Sequence, residues 1–228
     1  NEYLSEMTQV IEAEQGIVDK YIGDAVMAFW GAPLPLEDHA LRACRAALAQ
    51  VARIRQLRSR WAERGDLSRF TARLGLHTGE VIVGNIGSAT RMDYTSIGDA
   101  VNTASRLEGL NKLYGTDILI SDNTRRLAGE QMVTRELDLI RPVGKQEPVR
   151  IYELGAEAGA LSGSAAEQFL ERRQRFAEGL ALYREGRFGE ALEAFSEIEA
   201  QGDKPAQTFA KRCQTYLLQP PLDWNGVY

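Results

Sequence analysis

Apolar residues at Leu4, Met7, Val10 and Ile11 recur at the spacing of one helix face, and Gly16 ends the pattern. The stretch "IVDKYIGDAVMAFWG" then reads as strand, tight turn, strand. From Ala25 onward it predicts a buried strand, with Asp24 at its mouth directly after Gly23. Pro33 and Pro35 precede a long amphipathic helix, predicted from about Glu37 to Arg64. Its apolar stripe is Ala40, Ala43 with Cys44, Ala47 with Leu48, Val51, Ile54, Leu57 and Trp61. Arg42, Arg45, Arg53, Arg55 and Arg60 form another face, read as solvated. Two strands follow, "FTARLGLHTG" and "EVIVGNIG", and then a short one, "MDYTSIG". Asp99 is suited to N-cap the helix "AVNTASRLEGLNKLYG", which Gly115 closes. "DILIS" is a strand, "DNTRRLAG" a short helix, and "MVTRELDLIRPVG" with "VRIYELG" a terminal hairpin. This mixture of hairpins and crossovers predicts an α+β or α/β sandwich in which helices cover one sheet.

The pattern changes near residue 157, where "EAGALSGS" is small and polar and suits a linker. The reading divides the chain into residues 1–155, a linker over 156–164, and a small all-α tail over 165–228. Leu182, Gly186, Phe188, Ala191 and Phe195 are spaced as in a tetratricopeptide helix pair, and a further helix covers roughly Pro205 to Leu218. About one repeat fits, too little to bury its own face, so it must pack on the first domain or on a partner.

Hydrophobic residues make up 44% of the 228, enough for a sizeable core. The net charge of -5 argues against a nucleic-acid binder. Cys44 and Cys213 have no CxxC or metal-ligand neighbours and read as free thiols in a reducing compartment. No apolar run reaches membrane-spanning length and no signal peptide is visible. The opening "NEYLSEMTQVIEAEQG" reads as the inside of a helix, so an upstream segment is expected.

Four short pieces carry candidate chemistry: "KYIGD" from Lys20, "GLHTGEVIVGNIG" from Gly75, "YTSIGDAVNTASRLE" from Tyr94 and "GKQEPVRIYEL" from Gly144. A carboxylate at a turn suits Mg²⁺, which takes one or two protein oxygens and fills its shell with phosphates and water. Asn102 and Arg106 are four apart and share a helix face; an amide positions, and a guanidinium neutralises growing charge on oxygen. On the residues alone, Asp24 is equally a turn residue, Lys20 a solvated lysine, Thr95 a β-favouring residue and Asn102 with Arg106 a surface pair. His39 and His77 read as structural, and Gly79, Gly84 and Gly87 as strand-end or packing glycines.

In order and spacing the four pieces resemble the catalytic domain of class III nucleotidyl cyclases, the adenylyl and guanylyl cyclases, over roughly residues 1–155. The resemblance implies a ferredoxin-like α/β sandwich working as a head-to-tail homodimer, with ATP at the interface and two Mg²⁺ or Mn²⁺ ions per site. It implies that Asp24 is one of two metal-binding aspartates, that Lys20 and Thr95 read the base, and that Asn102 orients the ribose. It further implies that Arg106 stabilises charge on the transferring phosphate and that Lys145 binds the triphosphate, in a loop that is longer here. Asp24 would then serve one site of the dimer, and Lys20, Thr95, Asn102, Arg106 and Lys145 the other.

Lysine donates to adenine N1 and a threonine oxygen accepts from its amino group, so the resemblance is to adenylyl cyclases. Threonine in place of the commoner aspartate resembles the subgroup that includes bicarbonate-responsive cyclases. The family's earlier strand, Phe-x-Asp-Ile with a glycine turn, is not found in this sequence. Either an upstream segment supplies it, as the joint presence of Lys20, Thr95, Asn102 and Arg106 favours, or the chain is catalytically dead. The alternatives are a guanylyl cyclase, or an inactive nucleotide-binding regulatory module whose tail recruits partners. Cyclases of this receptor type follow a sensor or membrane domain.

Overall fold

The structure is a computed structural model and describes residues 1–65, 70–141, 147–160 and 163–228. Helix α1 (Glu2–Ala13) buries Met7, Val10 and Ile11, as its spacing predicts. Strands β1 (Ile17–Ile22) and β2 (Ala25–Phe29) form a hairpin that turns on Gly23 and Asp24, with Gly23 at φ 65°. Helix α2 (His39–Glu63) buries Ala40, Leu41, Cys44, Ala47, Ile54, Leu57 and Trp61. Strands β3 (Leu74–Leu76), β4 (Ile82–Ser88) and β5 (Arg91–Ile97) lead to α3 (Asp99–Tyr114). Then come β6 (Ile118–Ser121), α4 (Asp122–Ala128), β7 (Met132–Ile140) and β8 (Val149–Glu157). The helices α5 (Gly163–Arg184), α6 (Phe188–Glu199) and α7 (Lys204–Leu218) follow.

Four strands pair in the order β3-β6-β8-β7, with β3 and β6 parallel and the other pairs antiparallel. Side chains alternate between the two faces of this sheet. Ile118, Ile120, Tyr152 and Leu154 pack with Leu41, Cys44 and Ala47 of α2 and Ala128 of α4. Leu119, Leu137 and Ile151 point the other way, into a core with Leu107 and Tyr114 of α3 and the aromatic residues of α5–α7. The described residues therefore form three layers, where the sequence pattern predicts one covered sheet. The α+β class stands, with two further ladders, β1–β2 and β4–β5, lying outside the four-stranded sheet.

Two buried ionic clusters join the tail to the sheet. Arg135 of β7 reaches Glu153 at 2.7 Å and Asp203 at 2.7 Å, and Asp203 also caps α7 by accepting from the Ala206 N–H. Asp138 accepts from Tyr114 Oη and from Arg212 Nη1, each at 2.6 Å. At the sheet edge, Tyr228 exchanges backbone hydrogen bonds with Leu139 and Arg141, covering part of β7. The helical tail thus packs on the first part of the chain, one of the two outcomes expected of it.

Several local expectations change. The apolar run in β2 is not buried: Ala25 is exposed and the rest is half-buried. Among the described residues Val26 is partly buried against the small core shared by α1 and α2. Gly98, not Asp99, is the N-cap of α3, and Asp99 lies in the first turn, where the positive helix end favours an acid. The arginine face of α2 is paired rather than merely solvated. Arg53 and Arg60 reach Glu6, Arg45 reaches Glu157 and Arg55 reaches Asp117. Strand β8 runs to Glu157, and α5 begins at Gly163.

Gly75 sets how closely β3 approaches α3. A Cβ there would lie 2.2 Å from the Glu108 nitrogen and 2.4 Å from the Ala104 oxygen, both backbone atoms of the helix. Backbone cannot yield as a side-chain tip does, so Gly75→Ala is expected to destabilise the fold by about 1–3 kcal/mol. Urea unfolding measures this, and a midpoint equal to wild type would mean that α3 shifts freely on the sheet.

Candidate active site

Strand β1 has a bulge. Val18 pairs with Ala28 and Lys20 with Met27, leaving Asp19 as the extra residue. Neighbouring residues of a regular strand point to opposite faces, and a bulge breaks that alternation and re-aims a side chain. Here Asp19 turns toward β5. Its Oδ2 accepts from Thr95 Oγ1 at 2.7 Å, from the Ser96 N–H at 3.0 Å and from Ser96 Oγ at 3.4 Å. Lys20 Nζ stands 3.3 Å from Asp19 Oδ1; the Asp19 side chain is fully buried, while that of Lys20 is 40% exposed. Burial pushes the Asp19 carboxyl up, but the hydrogen bonds from Ser96 and Thr95 together with the neighbouring Lys20 ammonium outweigh it and hold it below the usual carboxylate range.

The structure therefore brings Lys20 and Thr95 together around one carboxylate. Thr95 is itself buried, and its partner across the β4–β5 ladder is Gly84. A Cβ at Gly84 would meet nothing within 4 Å, so open space lies beside Thr95 rather than the close packing read for that glycine. Gly87 does need its small size, since a Cβ there would lie 2.1 Å from the Arg91 oxygen.

Helix α3 starts two residues after β5 and carries Asn102 and Arg106, both exposed. Their neighbours on the helix, Thr103 and Leu107, are buried, so the amide and guanidinium face outward. Asp24 is exposed at the β1–β2 turn and forms no ion pair with Lys20 or Arg106 among the described residues. Lys145 lies outside the described residues. His77 Nδ1 lies 2.8 Å from Ser121 Oγ, a tie between the ends of β3 and β6.

Asp24 is a hard oxygen donor of the kind Mg²⁺ accepts alongside phosphate and water. No group of three or more His, Cys, Asp or Glu that could hold a metal occurs among the described residues. The residues present fit one carboxylate anchor for an ion that arrives with a phosphate ligand; they do not form a two-ion cage. The residue that sequence reasoning missed is Asp19. Its only signal is a carboxylate inside an apolar strand, next to the lysine.

Comparison with known proteins gives the family. Residues 1–154 match the family described as the adenylate and guanylate cyclase catalytic domain, and the chain belongs to that family. It is 37% identical over 166 residues to adenylate cyclase 1 of Rhizobium meliloti, covering 73% of this chain and 25% of that protein. Its fold is similar to the crystal structure of the adenylyl cyclase CyaB from P. aeruginosa, with a TM-score of 0.64 and 35% identity over 71% of this chain and 83% of that one. It is also similar to the guanylyl cyclase Cya2, with a TM-score of 0.61 and 31% identity over 72% of this chain and 82% of that one. The chain spans a third or less of the length of the curated relatives it matches. Divalent metals are general in this family. No helix among the described residues is long and apolar enough to cross a membrane.

Proposed function

We propose that the protein is an adenylyl cyclase, converting ATP to 3′,5′-cyclic AMP and pyrophosphate at the interface of a homodimer in signal transduction. The observation that carries this reading is the meeting of Lys20 and Thr95 around one buried carboxylate. That pair offers a donor for adenine N1 and an oxygen for its amino group. Guanine presents an N–H and a carbonyl at those places, and an ammonium has no lone pair to accept from the first. A guanylyl cyclase would need an acceptor where Lys20 stands.

In this reading Asn102 orients the ribose. Arg106 neutralises the charge that grows as the 3′-oxygen bonds to the α-phosphorus and the bond to the β-phosphate oxygen breaks, releasing pyrophosphate. Lys145 binds the triphosphate. Asp24 would hold Mg²⁺ or Mn²⁺, with two ions expected per site. A bound ion supplies Lewis-acid charge beside the 3′-oxygen and the phosphates. Asp24 serves the partner's nucleotide while the other five residues serve their own, so a monomer is inactive. The reading extends to the setting: residues 1–155 form the catalytic domain and 165–228 a tetratricopeptide-like tail. An upstream sensor or membrane domain controls them from a longer protein whose cyclase part is cytoplasmic. The short match to much longer relatives supports that arrangement. Thr95 links the chain to the bicarbonate-responsive subgroup.

A second reading, a regulatory module that binds nucleotide without turnover, is favoured by the absence of a metal-binding cluster among the described residues. The deciding experiment incubates the full-length protein with ATP or GTP and Mn²⁺ and quantifies both cyclic nucleotides, alongside Lys20→Glu. Cyclic AMP is the expected product, with the ATP preference reduced about tenfold or more in the variant, the scale of one discriminating base contact. Bound nucleotide without product would support the regulatory module, and mainly cyclic GMP the guanylyl alternative.

A further inference from the structure

We propose that Asp19 is a positioning residue that sets the purine specificity of the site, by fixing Thr95 as a hydrogen-bond acceptor and holding Lys20 beside it. The proposal rests on the cyclase reading above and deepens it. A threonine hydroxyl has one proton and two lone pairs, and left free it rotates to suit either purine. It can accept from the amino group of adenine or donate to the carbonyl of guanine, so threonine alone discriminates poorly.

Asp19 removes that freedom. An ionised carboxylate only accepts hydrogen bonds, and its Oδ2 takes the Thr95 proton at 2.7 Å. What Thr95 then offers a base is lone pairs. These attract the adenine amino group and repel the guanine carbonyl. The Ser96 N–H, 3.0 Å from the same oxygen, ties the carboxylate to the β5 backbone, so its aim does not depend on Thr95 alone. The other oxygen lies 3.3 Å from Lys20 Nζ, an ion pair that keeps the ammonium beside Thr95 with its protons available to adenine N1.

The β1 bulge makes this possible. In a regular strand Asp19 and Lys20 would face opposite ways, and one carboxylate could not serve both readers. Full burial of the Asp19 side chain also keeps water from competing for its oxygens. The result is a donor and an acceptor whose senses are set before any nucleotide arrives.

The test compares kcat/KM for ATP and GTP in the full-length protein, in wild type, Asp19→Asn, Thr95→Val and the double variant. An amide can donate to the Thr95 oxygen, which frees the threonine proton for guanine. Asp19→Asn is therefore expected to lower the ATP:GTP ratio about tenfold, on the scale of one base contact, with part of the change appearing as a gain on GTP. In the Thr95→Val background the same substitution is expected to change the ratio by less than about threefold, because only its hold on Lys20 is then left to lose. An unchanged ratio in Asp19→Asn, or an equal drop with and without Thr95, overturns the proposal. Should Asp19→Asn fail to fold, Asp19→Glu carries the test: it retains an acceptor-only group and is expected to keep the ratio within about threefold, and a larger drop overturns the proposal. A wild-type protein that makes no cyclic nucleotide from either substrate fails the underlying reading instead, and the two failures are distinct.

Discussion

Replacing Arg106 with alanine is expected to lower turnover of ATP at least about 10²-fold, the scale for losing one preorganised donor to a developing charge. Arg106 is exposed on α3, one turn from Asn102, and makes no ion pair among the described residues. Its charge is therefore not committed to the fold and is available to a phosphate. Exposed, and without an ion pair among the described residues, the side chain can be removed with little effect on stability. The expected pattern is a fall in kcat with nucleotide binding and dimerisation nearly unchanged, since the interaction strengthens as charge develops. Product formation under saturating ATP, with sedimentation to follow the dimer, checks this. Near-normal turnover with an intact dimer would remove Arg106 from the chemistry.

The second large effect is on stability. Asp138→Ala is expected to cost about 3–5 kcal/mol, because it leaves the Arg212 guanidinium buried without its counter-ion. Asp138 is fully buried, and its oxygens accept hydrogen bonds from Tyr114, Arg212 and the Leu139 N–H. Arg212 is also enclosed by rings, with its guanidinium carbon 4.9 Å from the centre of Phe209 and 3.4 Å from that of Tyr228. The loss should exceed that of a triple exchange, Asp138→Leu with Arg212→Met and Tyr114→Phe, which removes all three polar side chains together and strands no buried charge, although the Leu139 N–H loses its carboxylate acceptor. Urea unfolding followed by circular dichroism measures both. If Asp138→Ala matched wild type, the cluster would contribute nothing to holding the tail.

The order of elements was legible because each rests on local chemistry. Gly23 with Asp24 turns the first hairpin, Gly115 closes α3, and the helical stripe of α2 is read directly from its spacing. The grouping of Asn102 with Arg106 was legible for the same reason, since helix geometry alone puts residues four apart on one face. What escaped depends on distant parts of the chain. The arginines of α2 find Glu6, Asp117 and Glu157 only after folding. The bulge at Asp19 is a property of two strands in register, and its partner Thr95 is 76 residues away. The three-layer packing is hidden for a similar reason: Asp203 and Arg212 read as ordinary charges in a tail until Arg135 and Asp138 meet them.

Cys44 lies in the core between α2 and the sheet, and Cys213 in the core between the sheet and the tail. Both are fully buried, and burial pushes each thiol up to about 12. Only an exposed thiolate attacks an alkylating reagent, so each sulfur must wait for its own layer to open. The molecule thus carries one chemical clock on each face of its four-stranded sheet. Labelling of Cys213 well before Cys44 would mean that the tail lifts off a sheet that stays closed on its other side. Coincident times would mean that the two sides of the sheet come apart as a single unit.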